Sequence, residues 1–277
     1  MTDFKADEKA RWDSVALGWK KWWATFERGA GPLSEAVVAA AGVASGHRVL
    51  DLATGIGEPA VTAAKRVGPS GRVIAADLSP QMLAIAAERA ASHGLTNVET
   101  KVVDGDLVDF AAQSFDAITV RWGLMFFEKP GESLKRLKAL LKPGGQLAAA
   151  VWAEPSRVPM LAIPAATVRA VLKLPPPPPG PGPFALCDEP ALKKLVEEAG
   201  FRDVKTQRLP VAFDFESTRE YVAMMQDCAA PINLLLAAHP VEVRARAWSA
   251  VEEAARAYLK DGRVRLTSES ILVAGTA

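Results

Sequence analysis

The segment Asp51 to Ala60, DLATGIGEPA, holds the residues whose types and spacing best suit ligand chemistry. It follows an apolar run, and Gly55 and Gly57 can take the positive φ angles that let a backbone approach a ligand with no Cβ in the way. Pro59 suits the start of a following helix, whose unpaired N–H groups we expect to face that ligand. The segment therefore predicts a nucleotide-like cofactor at a strand–turn–helix junction.

A dinucleotide is one cofactor that this junction could hold. Gly55, Gly57 and Ala60 satisfy the spacing G-x-G-x-x-G/A, and Asp77 follows Gly55 by 22 residues, as a ribose ligand would. An NAD(P)-dependent oxidoreductase is therefore an alternative interpretation. Against it, a carboxylate at Asp51 would repel a pyrophosphate, whereas it suits a cofactor with cationic and donor groups.

Two further observations favour a sulfonium amino acid as the cofactor. Neither Tyr221 nor Tyr258 has a lysine four residues later, the pairing that short-chain dehydrogenases use. The turn DGDL, Asp104 to Leu107, ends a predicted strand and offers an acceptor to an adenine amino group. Each carboxylate alone could equally be a helix cap or a solvated turn, but their joint occurrence weakens that explanation.

Short apolar runs alternate with helical stretches around these motifs. The runs RVLDLA, RVIAADL, VETKVVD, FDAITVRW and QLAAAVW predict strands, and PAVTAAKRV, PQMLAIAAERAASHG and GESLKRLKALLKPGG predict helices between them. RDVKTQRLPVAFDF and GRVRLTSESILVAGT predict two final strands. The pattern predicts an α/β fold with a doubly wound, mostly parallel seven-stranded sheet of Rossmann type, with ligands at the carboxyl ends of the strands.

Five motifs occur in order over about residues 46–152: DLATGIGEPA, DLSPQML, DGDL, SFDAITVRWGLMF and LKPGGQL. Together they resemble the class I S-adenosylmethionine-dependent methyltransferases, and within these the C-methyltransferases of ubiquinone and menaquinone biosynthesis. The resemblance implies S-adenosyl-L-methionine as cofactor and S-adenosyl-L-homocysteine as product. It also implies methyl transfer to a small apolar or aromatic acceptor, with carbon or oxygen methylation favoured.

The resemblance also implies a role for each cofactor residue. The loop from Asp51 through Gly57 would wrap the methionine part, Asp77 would hold the ribose hydroxyls, and Asp104 would reach the adenine amino group. Ala53 stands where the family commonly has glycine. The full set of implied cofactor-binding residues is Asp51, Ala53, Thr54, Gly55, Gly57, Asp77, Leu78, Met82, Asp104, Gly105, Asp106, Leu107, Arg121 and Trp122.

Aromatic and thioether side chains, most of them outside these motifs, predict an enclosure for the acceptor, although they could instead pack an N-terminal helix onto the sheet. Methyl transfer from a sulfonium needs no protonation of its leaving group, so orientation and desolvation can suffice for catalysis. His239 is the candidate general base, and a surface turn before Pro240 is its alternative. The predicted substrate-binding residues are Trp19, Met125, Phe184, Met224 and Met225.

We predict an N-terminal helical lid over 1–45 and a methyltransferase domain over 46–277, with cap insertions at about 155–187 and 216–260.

Composition limits the remaining functions. A net charge of +1 argues against a nucleic-acid partner, and no apolar run has the length of a membrane span. Two cysteines and three scattered histidines predict no metal site. We expect a cytoplasmic monomer or homodimer acting on a small molecule, with a non-catalytic cofactor-binding scaffold as the alternative.

Overall fold

The computed structural model describes residues 4–277, so the first three residues of the predicted lid segment lie outside it. The chain divides into two compact units. The first comprises the chain up to Ala30, Glu154–Pro179 and Pro210–Glu269, and the second comprises Gly31–Ala153, Gly180–Leu209 and Ser270–Ala277. Each unit contains its own set of buried apolar side chains.

The predicted α/β fold with a mostly parallel sheet is confirmed. In the sheet the strands lie in the order β3-β2-β1-β4-β5-β8-β6, and β7 pairs with β8. Strands β1 to β5 pair in parallel, whereas β8 runs antiparallel to β5. The strands are β1 Arg48–Leu52, β2 Arg72–Asp77, β3 Val98–Val102, β4 Phe115–Arg121, β5 Leu141–Trp152, β6 Arg202–Phe215, β7 Leu259–Lys260 and β8 Arg263–Thr276.

The sequence did not predict β7, a strand of two residues that makes an eighth strand. It forms a hairpin with β8 through Asp261 and Gly262, whose φ angles are 52° and 75°. An Asp-Gly pair with two positive φ angles is the preferred two-residue hairpin turn. The Asp-Gly pair in the sequence therefore already indicated this hairpin.

The central strands are buried because the helices that connect them pack against the sheet. All but the first residue of β1 and of β2 are buried, which matches their runs of Val, Leu, Ile and Ala. The helices that connect β1 to β5 are α2 Ala60–Val67, α3 Pro80–Ser92 and α4 Pro130–Leu140. The fourth helix was predicted to continue to Gly145 but ends at Leu140, because Pro143 disfavours helical backbone at Lys142 and Gly144 has φ 79°.

The remaining helices include one of unusual length. The N-terminal helix is α1 Phe4–Ala40, which continues through Pro32. The others are α5 Pro159–Val171, α6 Glu189–Glu198, α7 Thr218–Cys228, α8 Ala230–Ala237 and α9 Val241–Ala255. In the first unit the fully buried Tyr221 of α7 donates a hydrogen bond to the carbonyl oxygen of Met160 in α5 at 2.8 Å.

Two glycines let α1 pack closely within the first unit. A Cβ at Gly18 would lie 2.1 Å from the carbonyl oxygen of Asp227, and one at Gly29 would lie 2.1 Å from that of Ala212 in β6. No atom lies within 4 Å of the corresponding position at Gly31. Glycine is therefore required at 18 and 29 by contact with backbone, but not at 31.

We expect Gly29→Ala to lower the free energy of unfolding by about 1 to 3 kcal/mol, because the added methyl would overlap an immobile backbone oxygen. Gly31→Ala is the matched control on the same helix. Its gain in helix propensity is opposed by the proline that follows, so its change should stay within about 0.5 kcal/mol. Denaturant unfolding of both variants measures this difference, and equal stabilities would refute the close approach at Gly29.

Candidate functional site

The loop between β1 and α2 has the backbone that its glycines predict. Gly55 has φ 55° and Gly57 has φ 104°. A Cβ at Gly57 would come within 3.2 Å of Ala86 in α3, whereas nothing lies within 4 Å of the same position at Gly55. Gly57 therefore lets the loop pack on α3, and Gly55 leaves open space beside the backbone where a ligand can approach.

Asp77 is the last residue of β2, the strand that pairs with β1, and it fixes the turn at Gly55, called the open turn below. Its Oδ2 accepts a hydrogen bond from Gly55 N–H at 2.8 Å, and its Oδ1 accepts one from Ser79 N–H at 2.9 Å. Ser79 in turn caps α3 by accepting from Met82 N–H at 3.1 Å. The predicted helix start at Pro80 matches the structure, and Ser79 is a cap that the sequence analysis did not name.

Asp51, the carboxylate in β1, is wholly buried and joins three elements. Its Oδ2 accepts from Ala60 N–H of α2 at 2.9 Å, and its Oδ1 accepts from the Thr119 hydroxyl of β4 at 2.6 Å. Burial raises the pKa of Asp51 to about 7, against the opposing effect of the Thr119 hydrogen bond. Asp51 is thus placed to hold the loop, and it is partly protonated at neutral pH.

A buried ion pair, which the sequence analysis did not identify, holds the second half of the loop. Arg89 of α3 donates to the carbonyl oxygen of Ile56 at 2.7 Å, and its guanidinium lies 3.5 Å from Glu58. Glu58 also accepts from the Thr62 hydroxyl at 2.7 Å. Because both charged side chains are about nine-tenths buried, their mutual pairing and these hydrogen bonds are needed to offset desolvation.

The expectation that α2 presents unpaired N–H groups to a ligand is wrong for its first four residues. Besides the Ala60–Asp51 bond, Val61 N–H donates to the Gly57 carbonyl oxygen, Thr62 N–H to Glu58 and Ala63 N–H to the Pro59 carbonyl oxygen. Pro59 itself precedes the first helical residue. The loop folds back over its own helix and satisfies these donors internally.

Some residues of the DGDL turn make hydrogen bonds within the protein, and others face outward. Both carboxylate oxygens of Asp106 accept hydrogen bonds, Oδ2 from Glu128 N–H at 3.0 Å and Oδ1 from the Ser133 hydroxyl at 2.7 Å. Asp106 therefore ties the turn to the start of α4. Asp104 is half-buried and Leu107 is 66% exposed, so these two retain surface for a ligand.

At the end of β4, Trp122 is held by several contacts. Its Nε1 donates to the Ser270 hydroxyl at 2.8 Å, and its ring stacks on Trp152 with centroids 4.1 Å apart. The neighbouring Arg121 donates to the Ser34 hydroxyl at 2.7 Å, and its guanidinium lies 5.0 Å from the Trp122 ring centroid. The side chain of Arg121 is thus committed to buried contacts in the second unit.

The ends of β1 and β4 meet at Ala53 and Gly123. Ala53 has φ 55° and Trp122 has φ 57°, in the left-handed region that side chains disfavour. A Cβ at Gly123 would lie 2.4 Å from Ala53 Cβ. This point, where the order of the strands reverses, is where parallel α/β sheets bind ligands.

The residues predicted to enclose the acceptor differ in accessibility. Trp19 and Phe184 are half-buried, whereas Met125, Met224 and Met225 are 2%, 0% and 2% exposed. These methionines therefore act as core side chains and offer no surface to a ligand in this conformation. Trp19, Met224 and Met225 belong to the first unit, and Met125 and Phe184 to the second.

His239 lies in the turn between α8 and α9 and is half-buried. Its backbone N–H donates to the Leu236 carbonyl oxygen at 3.0 Å, and no residue in 4–277 makes a hydrogen bond with its imidazole. Within the same residues, no cluster of three or more His, Cys, Asp and Glu side chains could hold a metal ion. None of their helices has the length and apolar character needed to cross a membrane.

Comparison with known proteins bears out the methyltransferase resemblance. Residues 33–167 match the model of the ubiE/COQ5 methyltransferase family. A ubiquinone/menaquinone biosynthesis C-methyltransferase UbiE from Pseudomonas entomophila (strain L48) is 34% identical over 116 residues, which is 42% of this chain. That match spans 45% of the relative, so the chain aligns with less than half of the protein it resembles.

Solved structures extend the likeness in fold over most of the chain. Phosphoethanolamine N-methyltransferase 2 of Haemonchus contortus, in complex with S-adenosyl-L-methionine, has a TM-score of 0.55 at 19% identity, covering 91% of this chain and 56% of that one. The [4+2]-cyclase SpnF has a TM-score of 0.56 at 21% identity, covering 90% and 82%. At these identities the structures support the fold alone.

The raised pKa of Asp51 predicts a pH-dependent stability. Between about pH 4 and pH 7 the folded state keeps this proton while the unfolded state has lost it. The contribution of Asp51 to the free energy of unfolding therefore falls as pH rises through this window and levels off above it. Asp51→Asn should remove this dependence, because an amide can accept from Ala60 N–H and donate to Thr119.

Denaturant titrations at about pH 5 and about pH 8 measure this effect. We expect the stability of Asp51→Asn relative to the unmodified protein to be higher at the higher pH. Identical pH slopes for the two proteins would contradict a raised pKa at Asp51.

The contact between Ala53 and Gly123 predicts a coupled pair of substitutions. Gly123→Ala alone should cost about 1 to 3 kcal/mol by overpacking against Ala53. Ala53→Gly alone should change stability by at most about 1 kcal/mol, because relief at the positive φ is offset by a more flexible unfolded chain. In the double variant the cost of Gly123→Ala should be smaller by about 1 kcal/mol. Strict additivity would show that the two strand ends do not touch.

Proposed function

We propose that this chain is an S-adenosylmethionine-dependent methyltransferase that acts on a small apolar or aromatic acceptor. The observation that carries the proposal is the carboxylate of Asp77 at the end of β2, hydrogen-bonded to the open turn at Gly55. This arrangement lies within the segment that matches the ubiE/COQ5 family. Carbon or oxygen is favoured over nitrogen as the methyl acceptor.

The residues at the carboxyl ends of β1 and β2 fit an adenosine cofactor. The open space beside Gly55 gives a ligand direct access to the backbone, and Asp77 provides carboxylate acceptors for ribose hydroxyls. Leu78 is half-buried and offers an apolar edge to the adenine, and Asp104 offers an acceptor to its amino group. We assign the methionine part to the loop from Ala53 to Gly57.

The paired N–H groups of α2 argue against the oxidoreductase alternative. A dinucleotide places its pyrophosphate on free N–H groups at the start of the helix that follows the glycine turn. Here the first four helical N–H groups donate to Asp51, Glu58 and the carbonyl oxygens of Gly57 and Pro59. A pyrophosphate would have to displace these bonds, whereas an uncharged thioether or a sulfonium would not need them.

Bound S-adenosylmethionine supplies a methyl group on a sulfonium whose departing thioether needs no proton. The protein then has to orient the acceptor and remove water from around it. The hydrogen bonds of Asp51, Asp77 and Arg89 give the cofactor loop a fixed shape, so that little reorganisation is needed when the cofactor binds. Trp122, held by Ser270 and Trp152, provides a rigid aromatic surface next to that loop.

The methyl acceptor is inferred from the function for which a similar protein is named. The relative from Pseudomonas is named for C-methylation in ubiquinone and menaquinone biosynthesis, so a quinol ring is the first acceptor to test. His239 remains a candidate base only if the acceptor must lose a proton, and none of the described residues hydrogen-bonds its imidazole. We propose a cytoplasmic monomer or homodimer.

Ligand-induced stabilisation tests cofactor choice. S-adenosylhomocysteine should raise the melting temperature because it binds only the folded state, whereas NADH and NADPH should not. A shift with NADH alone would overturn the proposal in favour of the oxidoreductase. Single-turnover assays with S-adenosylmethionine and a panel of quinols, phenols and amines then test transfer, and cofactor binding without methylation of any class would favour the non-catalytic scaffold.

The role of Asp77 in binding the ribose can be separated from its role in shaping the loop. We expect Asp77→Ala to weaken S-adenosylhomocysteine binding by about 1 to 3 kcal/mol, the cost of leaving buried hydroxyls without a charged acceptor. The 2′-deoxy analogue should bind less tightly than S-adenosylhomocysteine to the unmodified protein, but about equally to the variant. Calorimetry with both ligands measures this. If the 2′-hydroxyl contributes equally to binding in both proteins, Asp77 acts only on the loop.

A further inference from the structure

The strand β3 lies last in the strand order of the sheet and belongs wholly to the second unit. Among the residues that the structure describes, it pairs only with β2. Its residues Glu99, Lys101 and Val102 are exposed, Val102 by 54%. An exposed edge strand presents unpaired N–H and C=O groups, with which a strand of another molecule can pair.

The hydrogen bonds with β2 show which backbone groups of β3 face the open edge. Just before β3, the carbonyl oxygen of Asn97 accepts from Val73 N–H. Just after it, Val103 N–H donates to the carbonyl oxygen of Asp77. Alternate residues of a strand point to the same neighbour, so the odd-numbered residues of β3 direct their backbone toward β2. The residues whose N–H and C=O groups face away from β2 are therefore Val98, Thr100 and Val102.

The residues of β3, VETKV, are arranged symmetrically about Thr100. If a second copy pairs with this edge in antiparallel orientation, a two-fold axis through Thr100 sets each Glu99 opposite the partner's Lys101. The same axis sets each Val98 opposite the partner's Val102. Apart from Thr100, which meets its own copy, every cross-strand pair then joins opposite charges or two aliphatic side chains, and such pairs stabilise a sheet.

The backbone allows this register, and the charges disfavour its neighbours. With the axis at Thr100 the outward-facing residues meet one another and can exchange N–H···O=C hydrogen bonds, while the charged residues take the closer, non-hydrogen-bonded positions. Moving the axis by one residue sets Glu99 opposite the partner's Glu99, or Lys101 opposite the partner's Lys101. Like charges directly opposite are destabilising, so the sequence of β3 selects one register of self-pairing.

A lysine on a short edge strand is also a common device against pairing, and Lys101 alone could serve that purpose. Glu99 argues against this explanation, because a glutamate at the symmetrical position cancels the repulsion between two copies. Both charged side chains lie on one face, since residues two apart in a strand share a face. The ammonium of Lys101 lies 4.3 Å from the ring centroid of Phe110, on the face where the partner's Glu99 would lie.

We propose that two copies of this chain form a dimer in which β3 pairs antiparallel with β3 about a two-fold axis at Thr100. The two sheets then form one continuous sheet, and the two-fold axis closes the assembly because each copy uses its edge once. A strand of five residues buries a small area, so the dimer should dissociate on dilution. This inference goes beyond the proposed function, and its tests need neither cofactor nor methyl acceptor.

Sedimentation velocity at roughly 1 to 100 µM should show a monomer–dimer equilibrium in the unmodified protein. Glu99→Lys and Lys101→Glu should each weaken self-association by about tenfold or more, because each sets like charges opposite one another. The double variant Glu99→Lys/Lys101→Glu restores two opposite-charge pairs and should dimerise like the unmodified protein. A mixture of the two single variants should also associate more tightly than either variant alone.

Lys205→Glu is the matched control, because Lys205 is an exposed lysine of β6, the strand at the opposite end of the strand order. It should leave dimerisation unchanged, and its loss of dimerisation would contradict the proposal by placing the interface at the other edge. A protein that stays monomeric throughout this concentration range would overturn the proposal. A double variant and a mixture that associate no better than the single variants would overturn it as well.

Hydrogen exchange at the Thr100 amide tests the backbone pairing separately from the charges. Because this N–H faces away from β2, its exchange should slow by about tenfold or more as the protein concentration rises through the range of dimerisation. The Lys101 amide, which faces β2, should be protected at all concentrations. Unchanged exchange at Thr100 in a protein that dimerises would show that another surface forms the dimer.

Discussion

The hydrogen bond from Gly55 N–H to Asp77 joins the ends of two neighbouring strands, and the geometry of the candidate cofactor site depends on it. Gly55 can take its left-handed conformation without steric cost, but the conformation also has to be held. A carboxylate at 2.8 Å holds it, and Asp51 and the Arg89–Glu58 pair hold the remainder of the loop in the same way. The loop that would wrap a cofactor is thus shaped by the protein's own buried charged groups.

This arrangement explains why the glycine spacing alone could not identify the cofactor. The same spacing in a dinucleotide-binding protein leaves helix N–H groups for a pyrophosphate. In this chain Asp51 and Glu58 occupy two of those groups, so the open turn and the β2 carboxylate, and not the helix end, are left to face a ligand. Asp51 therefore disfavours a pyrophosphate by occupying the N–H donor of Ala60. The repulsion of phosphate predicted from sequence is weaker than expected, because burial raises the pKa of Asp51 to about 7.

The sequence predicted features governed by local chemistry and missed those governed by tertiary contact. The assignment of the strands β1 to β5 and the positions of Gly55 and Asp77 follow from hydrophobic period and turn residues, which short segments encode. Arg89 could not be identified, because periodicity does not show which helix face meets a loop 33 residues away in sequence. The bounds of α1 were not predicted, since Gly29 and Pro32 resemble helix breakers while close packing against Ala212 favours a continuous helix.

Hydrogen bonds to Asp77 and Asp51 hold the loop between β1 and α2 in its observed shape. Hydrogen exchange at the Gly55 and Ala60 amides, followed by NMR in the ligand-free protein, tests this most directly. If Asp77 and Asp51 hold these groups, both amides should exchange slower than an unstructured peptide by about a thousandfold or more, as expected for stable native hydrogen bonds. Exchange at the rate of an unstructured peptide at these two amides, while the β1 and β4 amides stay protected, would contradict the account.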